Sequence, residues 1–224
     1  MTAYILASQS PRRKELLRNL INQFIVVETD VEEIIFPGEK PAEYVLRVTK
    51  EKALTAGKKL GESSFQDLVV IAADTIVVDQ DQILGKPKDP VDAKNILERL
   101  KGKSHQVLSG IAVYQFLSEE IQSKVALTEV WMREYSEIEI QEYIASGDPF
   151  DKAGAYAIQN DSFNPATNIK GCFANVMGLP LCHLSLMLRE ADLEFNFDVA
   201  DRCQASIKYS CPVYTSILNE ETVQ

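Results

Sequence analysis

Four groups of residues in this chain have the types and spacing to do chemistry. The first lies near the start, where Ser8, Ser10 and Pro11 precede Arg12 and Arg13. Ser10 is a good helix N-cap, and Pro11 suits the first helical position, where a missing N–H costs nothing. Two arginines in a first helical turn oppose the helix dipole, which favours acids there. An anionic ligand such as a phosphate group would justify them; a solvated basic turn is the other reading. The second group is Asp74, alone inside the apolar run 68–78. A buried ionised carboxylate is very costly unless it is paired or binds a metal. A structural aspartate at a bend is the alternative, but no local turn chemistry supports it, so a functional role is favoured. The third is Lys52, four residues from Val48 and four from Ala56 on one helical stripe. Its ammonium either snorkels to solvent or reaches an internal cleft. The fourth comprises the acidic patch 28–33, which reads on composition as a solvated loop, and Lys86, held between Gly85 and Pro87.

The elements that must position these groups alternate between strand and helix. Residues 4–7 form a short apolar strand that turns into a helix with Leu16, Leu17 and Leu20 on one face. Residues 24–27 are a second strand, ahead of the acidic patch and a Pro37-Gly38 turn. Pro41 opens a helix to residue 60 with Val45, Val48 and Ala56 facing inward. Residues 68–78 are the most apolar strand and so belong at the centre of a sheet. A hairpin-like turn at Asp81-Gln82 returns the chain to 83–87. A helix follows over 90–100, closed by Gly102. Strands 107–116 and 125–135 are expected to pair, and His105 at the mouth of the first reads as a hydrogen-bonded structural residue. Ser136-x-x-Glu139 is a capping box for a helix ending at Gly147. Gly154 and its neighbouring alanines permit close backbone approach. Gly178-Leu179-Pro180 opens the last core helix, through Arg189. From Ala191 onward periodicity fades, so 191–224 reads as a C-terminal extension to a 1–190 domain. The pattern is that of an α/β domain with a largely open sheet, whose ligand site lies at strand ends.

The chain's 224 residues suffice for one large or two-lobed domain, and 46% of them are hydrophobic. The net charge of −10 argues against general nucleic-acid binding. No apolar run approaches a membrane span and no secretory signal is evident. The four cysteines contain no CxxC pair and there are only two histidines, which argues against zinc and for a reduced, cytoplasmic protein.

Taken in order, several stretches resemble one family. They are Leu6-Ala7-Ser8-x-Ser10-Pro11-Arg12-Arg13, Glu32-Glu33, Lys50-Glu51-Lys52-Ala53, Ala73-Asp74-Thr75, Gly85-Lys86-Pro87 and His105-Gln106-Val107. Asp151-Lys152-Ala153-Gly154-x-Tyr156-x-Ile158-Gln159 and Gly178-Leu179-Pro180 complete the set. The ordered set, over residues 3 to about 190, resembles the Maf family of nucleoside triphosphate pyrophosphatases. The resemblance implies an elongated, largely open mixed sheet flanked by helices, with two lobes and a cleft between them, and commonly a homodimer. It also implies hydrolysis of a nucleoside triphosphate to the monophosphate and pyrophosphate. Asp74 would be the general base and would join Glu33 around a divalent cation, Mg²⁺ or Mn²⁺. Arg12, Arg13, Lys52 and Lys86 would hold the triphosphate, with Ser8 lining the same turn.

Arg13, Thr75 and Gln159 resemble the subgroup preferring dTTP and UTP rather than the one acting on 7-methyl-GTP. One departure is 160–169, where the family usually has a glycine-rich segment. Thr75 adjoins Asp74 on a strand, so its side chain is expected on the opposite face unless the backbone bends. The family is also associated with arrest of septum formation and cell division. A nucleotide-binding regulator is therefore the competing reading, against which retention of both Asp74 and Glu33 speaks. A modified nucleotide removed from the pool is a further candidate substrate.

Overall fold

The structure is a computed structural model and describes residues 2–61, 67–193 and 197–219. Strand β1 (Ala3–Leu6) leads into helix α1 (Pro11–Leu17), and the Ser10 side chain accepts a hydrogen bond from the Arg13 amide as its N-cap. Strand β2 (Ile25–Val26) and helix α2 (Pro41–Gly61) follow. The remaining first-half elements are β3 (Leu68–Asp79), β4 (Gln82–Leu84) and α3 (Pro90–Leu100). Then come the long strands β5 (Ser104–Gln115) and β6 (Glu120–Met132), and α4 (Glu137–Ala145). Two 3₁₀ turns, Asp148–Asp151 and Ala153–Ala155, precede β7 (Ala166–Lys170), α5 (Phe173–Val176) and α6 (Leu181–Glu190). Helices α7 (Val199–Ile207) and α8 (Tyr214–Asn219) end the described chain.

Among the described residues the strands form one mixed, seven-stranded open sheet in the order β2-β1-β3-β5-β6-β7, with β4 also on β3. Alternation along β3 sends Val70, Ala72, Ile76 and Val78 toward α2, while Val69, Ile71, Ala73 and Val77 pack on the other face. On each face the core splits in two near residues 73–76. One half gathers around β1, α1 and α6 with the lower part of α2; the other gathers around β4, α3 and α4 with the start of α2. The long strands β3 and β5 run through both halves, which is how the chain makes two lobes on one sheet.

Three sequence expectations shift. The hairpin turn is Gln80-Asp81, not Asp81-Gln82; both take left-handed φ values of 50° and 63°, which suit the twist of a tight hairpin. Strands β5 and β6 begin earlier than expected, at Ser104 and Glu120, and β6 stops at Met132, short of residue 135. The extra residues at the hairpin end include Glu120, Gln122 and Lys124, whose polarity hides the pairing from an apolar pattern. The segment after residue 190 also carries more structure than its weak periodicity suggested. Val199, Ala200, Cys203 and Ile217 are buried in the same cluster as α6, so α7 and α8 cover that lobe's core. Residues 194–196 and 220–224 of that segment lie outside the described residues.

Candidate active site

The cleft arises from how strands share one edge of β3. Parallel β1 pairs with residues 68–71 of that edge, ending at Leu6 opposite Ile71. Antiparallel β4 pairs with residues 77–79, with Leu84 opposite Val77. Between them no described strand covers residues 72–76 on this side. Both β1 and β4 run toward the gap, so the loops after them, 7–10 and 85–87, enter it from opposite ends. The result is a cleft of about 440 Å³, within the size range of small-ligand sites. Ser8, Arg12, Arg13, Glu33, Lys52, Asp74, Thr75, Lys86 and Gln159 all line it. The open edge also explains why adjacent residues of β3 both reach the cleft. Asp74 points to the α2 face and Thr75 to the other, as strand alternation requires, and the gap gives access to both faces.

On the α2 face one ammonium joins two carboxylates. Lys52 Nζ donates to Asp74 Oδ1 and to Glu33 Oε1, at 2.7 Å each. Lys52 is 9% exposed and Asp74 8%, so the internal-cleft reading of Lys52 holds over the snorkelling one. Burial disfavours the Glu33 carboxylate, but the Lys52 hydrogen bond and charge, with Lys86 and Arg13 behind them, outweigh it. They hold its pKa below the ordinary glutamate value.

On the other face Arg13 is held by three acceptors. Its Nε donates to the Gly178 carbonyl at 2.9 Å, Nη1 to Ser8 Oγ at 3.1 Å and Nη2 to Thr75 Oγ1 at 3.0 Å. These bonds tie the loop after β1 to β3 and to the turn before α6. The planar fork has N–H donors beyond these three with which to meet an anion. Arg12 reaches across the gap instead, donating to Asp151 Oδ2 at 3.1 Å. Lys152 binds the same Asp151, together with the Asp148 carbonyl at 2.6 Å and Asp148 Oδ1 at 2.8 Å. Lys86 lines the cleft as an exposed side chain, and Gln159 sits exposed in the turn after Ala157. The divergent 160–169 segment contributes no described residue to the cleft wall. It packs into the second lobe, where Phe163 stacks on Tyr143 at 4.1 Å between ring centroids, and then forms edge strand β7.

His105 is the structural residue expected. It is 3% exposed, its Nε2 lies 2.7 Å from the Tyr156 hydroxyl, and burial drives its pKa down to about 4 against a weaker opposing pull from Asp79.

Sequence reasoning assigned no role to Tyr44, Arg47 or Ser109. The Tyr44 hydroxyl donates to the Glu33 carbonyl at 3.2 Å, and burial, with the charges of Asp74 and Glu33, pushes its pKa up to about 12. Arg47 donates to the Ile34 carbonyl at 2.7 Å, grips Glu39 at 2.7 and 2.9 Å, and stacks its guanidinium 4.1 Å from the Phe36 ring centre. Together they fasten the irregular loop that carries Glu33 to α2. The available signal for Tyr44 was its position eight residues before Lys52, on the same stripe as Val48. Nothing in the pattern marked Arg47.

The implied Mg²⁺ or Mn²⁺ fits the chemistry of these donors. Among the described residues no group of three or more histidine, cysteine or acidic side chains is arranged for a metal. Mg²⁺ does not need one, since it takes one or two carboxylates and completes its shell with water and substrate phosphates. Asp74 and Glu33 share a single ammonium, so their bound oxygens lie close together. The other oxygen of each has no hydrogen-bond partner among the described residues.

Residues 3–191 match the Maf family, described as Maf-like protein. A protein of Citrifermentans bemidjiense named dTTP/UTP pyrophosphatase is 43% identical over 188 residues, covering 84% of this chain and 95% of its own. A dTTP/UTP pyrophosphatase of Geotalea uraniireducens is 43% identical over 83% of this chain and 93% of its own. One of Aliivibrio fischeri is also 43% identical, over 83% and 96%. The match spans both lobes and every strand around the open edge of β3, and on that ground the chain belongs to the Maf family.

Proposed function

We propose that this protein hydrolyses nucleoside triphosphates between the α and β phosphorus atoms, with dTTP and UTP preferred. The observation that carries the reading is the Asp74–Lys52–Glu33 cluster in a cleft that also holds Arg12, Arg13 and Lys86. Relatives named for the same activity support it.

Asp74 takes the proton of a water whose oxygen forms a bond to the α phosphorus. The bond from that phosphorus to the bridging oxygen breaks, and pyrophosphate leaves with its electron pair. Water and triphosphate thus become nucleoside monophosphate, pyrophosphate and a proton. The cations bind the phosphate oxygens, over which negative charge spreads as the bond breaks. Lys52 orients Asp74 and Glu33 toward each other. Mg²⁺ or Mn²⁺ held by these two carboxylates would add further charge neutralisation at the phosphates. Gln159 offers an amide donor, which suits a carbonyl oxygen on the edge of uracil or thymine. Removal of a modified nucleotide from the pool is compatible with the same site.

The test is pyrophosphate release from UTP, dTTP, CTP, GTP and 7-methyl-GTP, with Mg²⁺ and with excess chelator. UTP and dTTP should give the highest kcat/KM, and the chelator should abolish turnover. A purine winning the panel would overturn the base assignment, and full activity in chelator would remove the metal from the reading.

A further inference from the structure

Thr75 and Ser109 are direct cross-strand partners on β3 and β5, and their hydroxyls lie 2.8 Å apart. Each end of this contact is fixed by a group of one polarity. Arg13 Nη2 donates to Thr75 Oγ1 at 3.0 Å, and a guanidinium only donates. Ser109 Oγ lies 3.1 Å from the Asn175 carbonyl, which only accepts, so the proton between them is the serine's. Having spent its one proton there, Ser109 must accept from Thr75. The chain of protons runs one way, from Arg13 through Thr75 and Ser109 to the Asn175 carbonyl. The reverse order would set Ser109 Oγ and that carbonyl face to face with no proton between them, and Ser109 is fully buried, out of contact with bulk solvent.

The consequence falls on the cleft. Thr75 lines it, but its hydroxyl proton is turned inward and one lone pair is taken by Arg13. What remains to a ligand is an acceptor. The neighbouring Gly178 keeps that oxygen open, since a side chain there would begin 3.4 Å from Thr75 Oγ1 and its φ of +108° is one that L residues rarely adopt. A triphosphate at neutral pH offers acceptors and no donor to speak of, so the matching group lies on the nucleoside. Uracil and thymine carry a donor at N3, whereas cytosine carries an acceptor at the same place.

We propose that Ser109 is a specificity-positioning residue. By holding the Thr75 hydroxyl proton, it makes Thr75 an obligate acceptor that takes the N3–H of uracil or thymine and turns cytosine away. This rests on the pyrophosphatase reading above.

The experiment compares kcat/KM for UTP and CTP, read as pyrophosphate release, in the unmodified protein, Ser109→Ala and Thr75→Val. Without the serine, the Thr75 hydroxyl is free to rotate and donate to cytosine N3. The UTP-over-CTP ratio should therefore fall about tenfold or more, the scale of one hydrogen bond gained and one lost, with CTP rising in its own right. In Thr75→Val the ratio should fall because UTP worsens, without any gain for CTP. A general loosening of the fold would lower both nucleotides together and leave the ratio in place. An unchanged ratio in folded Ser109→Ala overturns the proposal while leaving the pyrophosphatase intact; absence of pyrophosphate release by the unmodified protein overturns the underlying reading instead. A measurement that needs no variant is NMR detection of the Thr75 hydroxyl proton. It should be protected from exchange and close to the Ser109 β protons; a rapidly exchanging proton facing the cleft would refute the assignment.

Discussion

Lys52 donates to Asp74 across 2.7 Å, from the middle of α2 to the stretch of β3 that no described strand covers on the β1–β4 edge. The same ammonium holds Glu33 at 2.7 Å. Two acids from a strand and a loop are thereby kept side by side in a partly dry cleft, where they would otherwise repel.

Replacing Lys52 with Met keeps the stem and removes the charge. Breaking a buried ion pair costs about 3–5 kcal/mol; Glu33 is half exposed to solvent, so the lower end or less is expected here. The sign with pH follows from Glu33. Its pKa is lowered in the folded protein, so its pairing stabilises above the unfolded glutamate pKa and is lost as pH falls through the lower folded value. The stability gap between the original protein and Lys52→Met should therefore be widest near neutral pH and narrow in acid, in denaturant titrations at each pH. A gap independent of pH would mean that Lys52 contributes packing alone.

Arg47 should matter to a reaction it does not touch. Arg47→Ala frees the Ile34 carbonyl and the Phe36 ring, loosening the loop behind Glu33. The expected result is a higher Mn²⁺ concentration for half-saturation, read both by Mn²⁺ EPR without nucleotide and by activity, with kcat recovering at high metal. Faster hydrogen exchange over residues 33–39 should accompany it. Unaltered exchange there would disprove the clamp.

His105 predicts a stability slope. Its folded pKa of about 4 lies below the ordinary histidine value, because burial penalises the charged ring. From about pH 6.5 down to about 4 the unfolded chain takes up a proton that the folded chain does not, so stability falls by roughly 3 kcal/mol across that window. His105→Gln should flatten this part of the profile even if it lowers stability throughout. A retained slope would assign it to other groups.

Helices α7 and α8 should serve stability and not chemistry. Ile217→Ala should lower stability by about 2–4 kcal/mol, as for other buried aliphatic truncations. Turnover at a temperature where the variant stays folded should be unchanged, since no described residue after Gly178 lines the cleft. Loss of turnover in the folded variant would give this segment a part in the site.

Local physics made much of this legible in the sequence. The Ser10 cap with Pro11, the capping box at Ser136 and Glu139 and the apolar run of β3 are read from adjacent residues and appear in place. The spacing of Lys52 from Val48 and Ala56 put it on the inward stripe but left snorkelling and an internal cleft both open, and it showed neither of its two partners. What stayed hidden depends on long-range register. That β1 and β4 share one edge of β3 is a matter of pairing, not composition, and it alone explains how Asp74 and Thr75 serve one cleft from opposite faces. The Thr75–Ser109 pair is likewise invisible until β3 and β5 are aligned. The burial of α7 and α8 was masked because Val199, Ala200, Cys203 and Ile217 are spread over two short helices with polar residues between.

The central claim is that Asp74 drives cleavage at the α phosphorus, and product analysis of one substitution tests it most directly. The unmodified protein, given UTP and Mg²⁺ in ¹⁸O-water, should yield UMP and pyrophosphate in equal amounts, with the label in UMP. Asp74→Asn, folded to the same degree by circular dichroism, should lose about 10²–10⁴-fold in kcat, the usual worth of a general base. Label in the pyrophosphate, UDP and phosphate as products, or near-original turnover in Asp74→Asn would contradict the account.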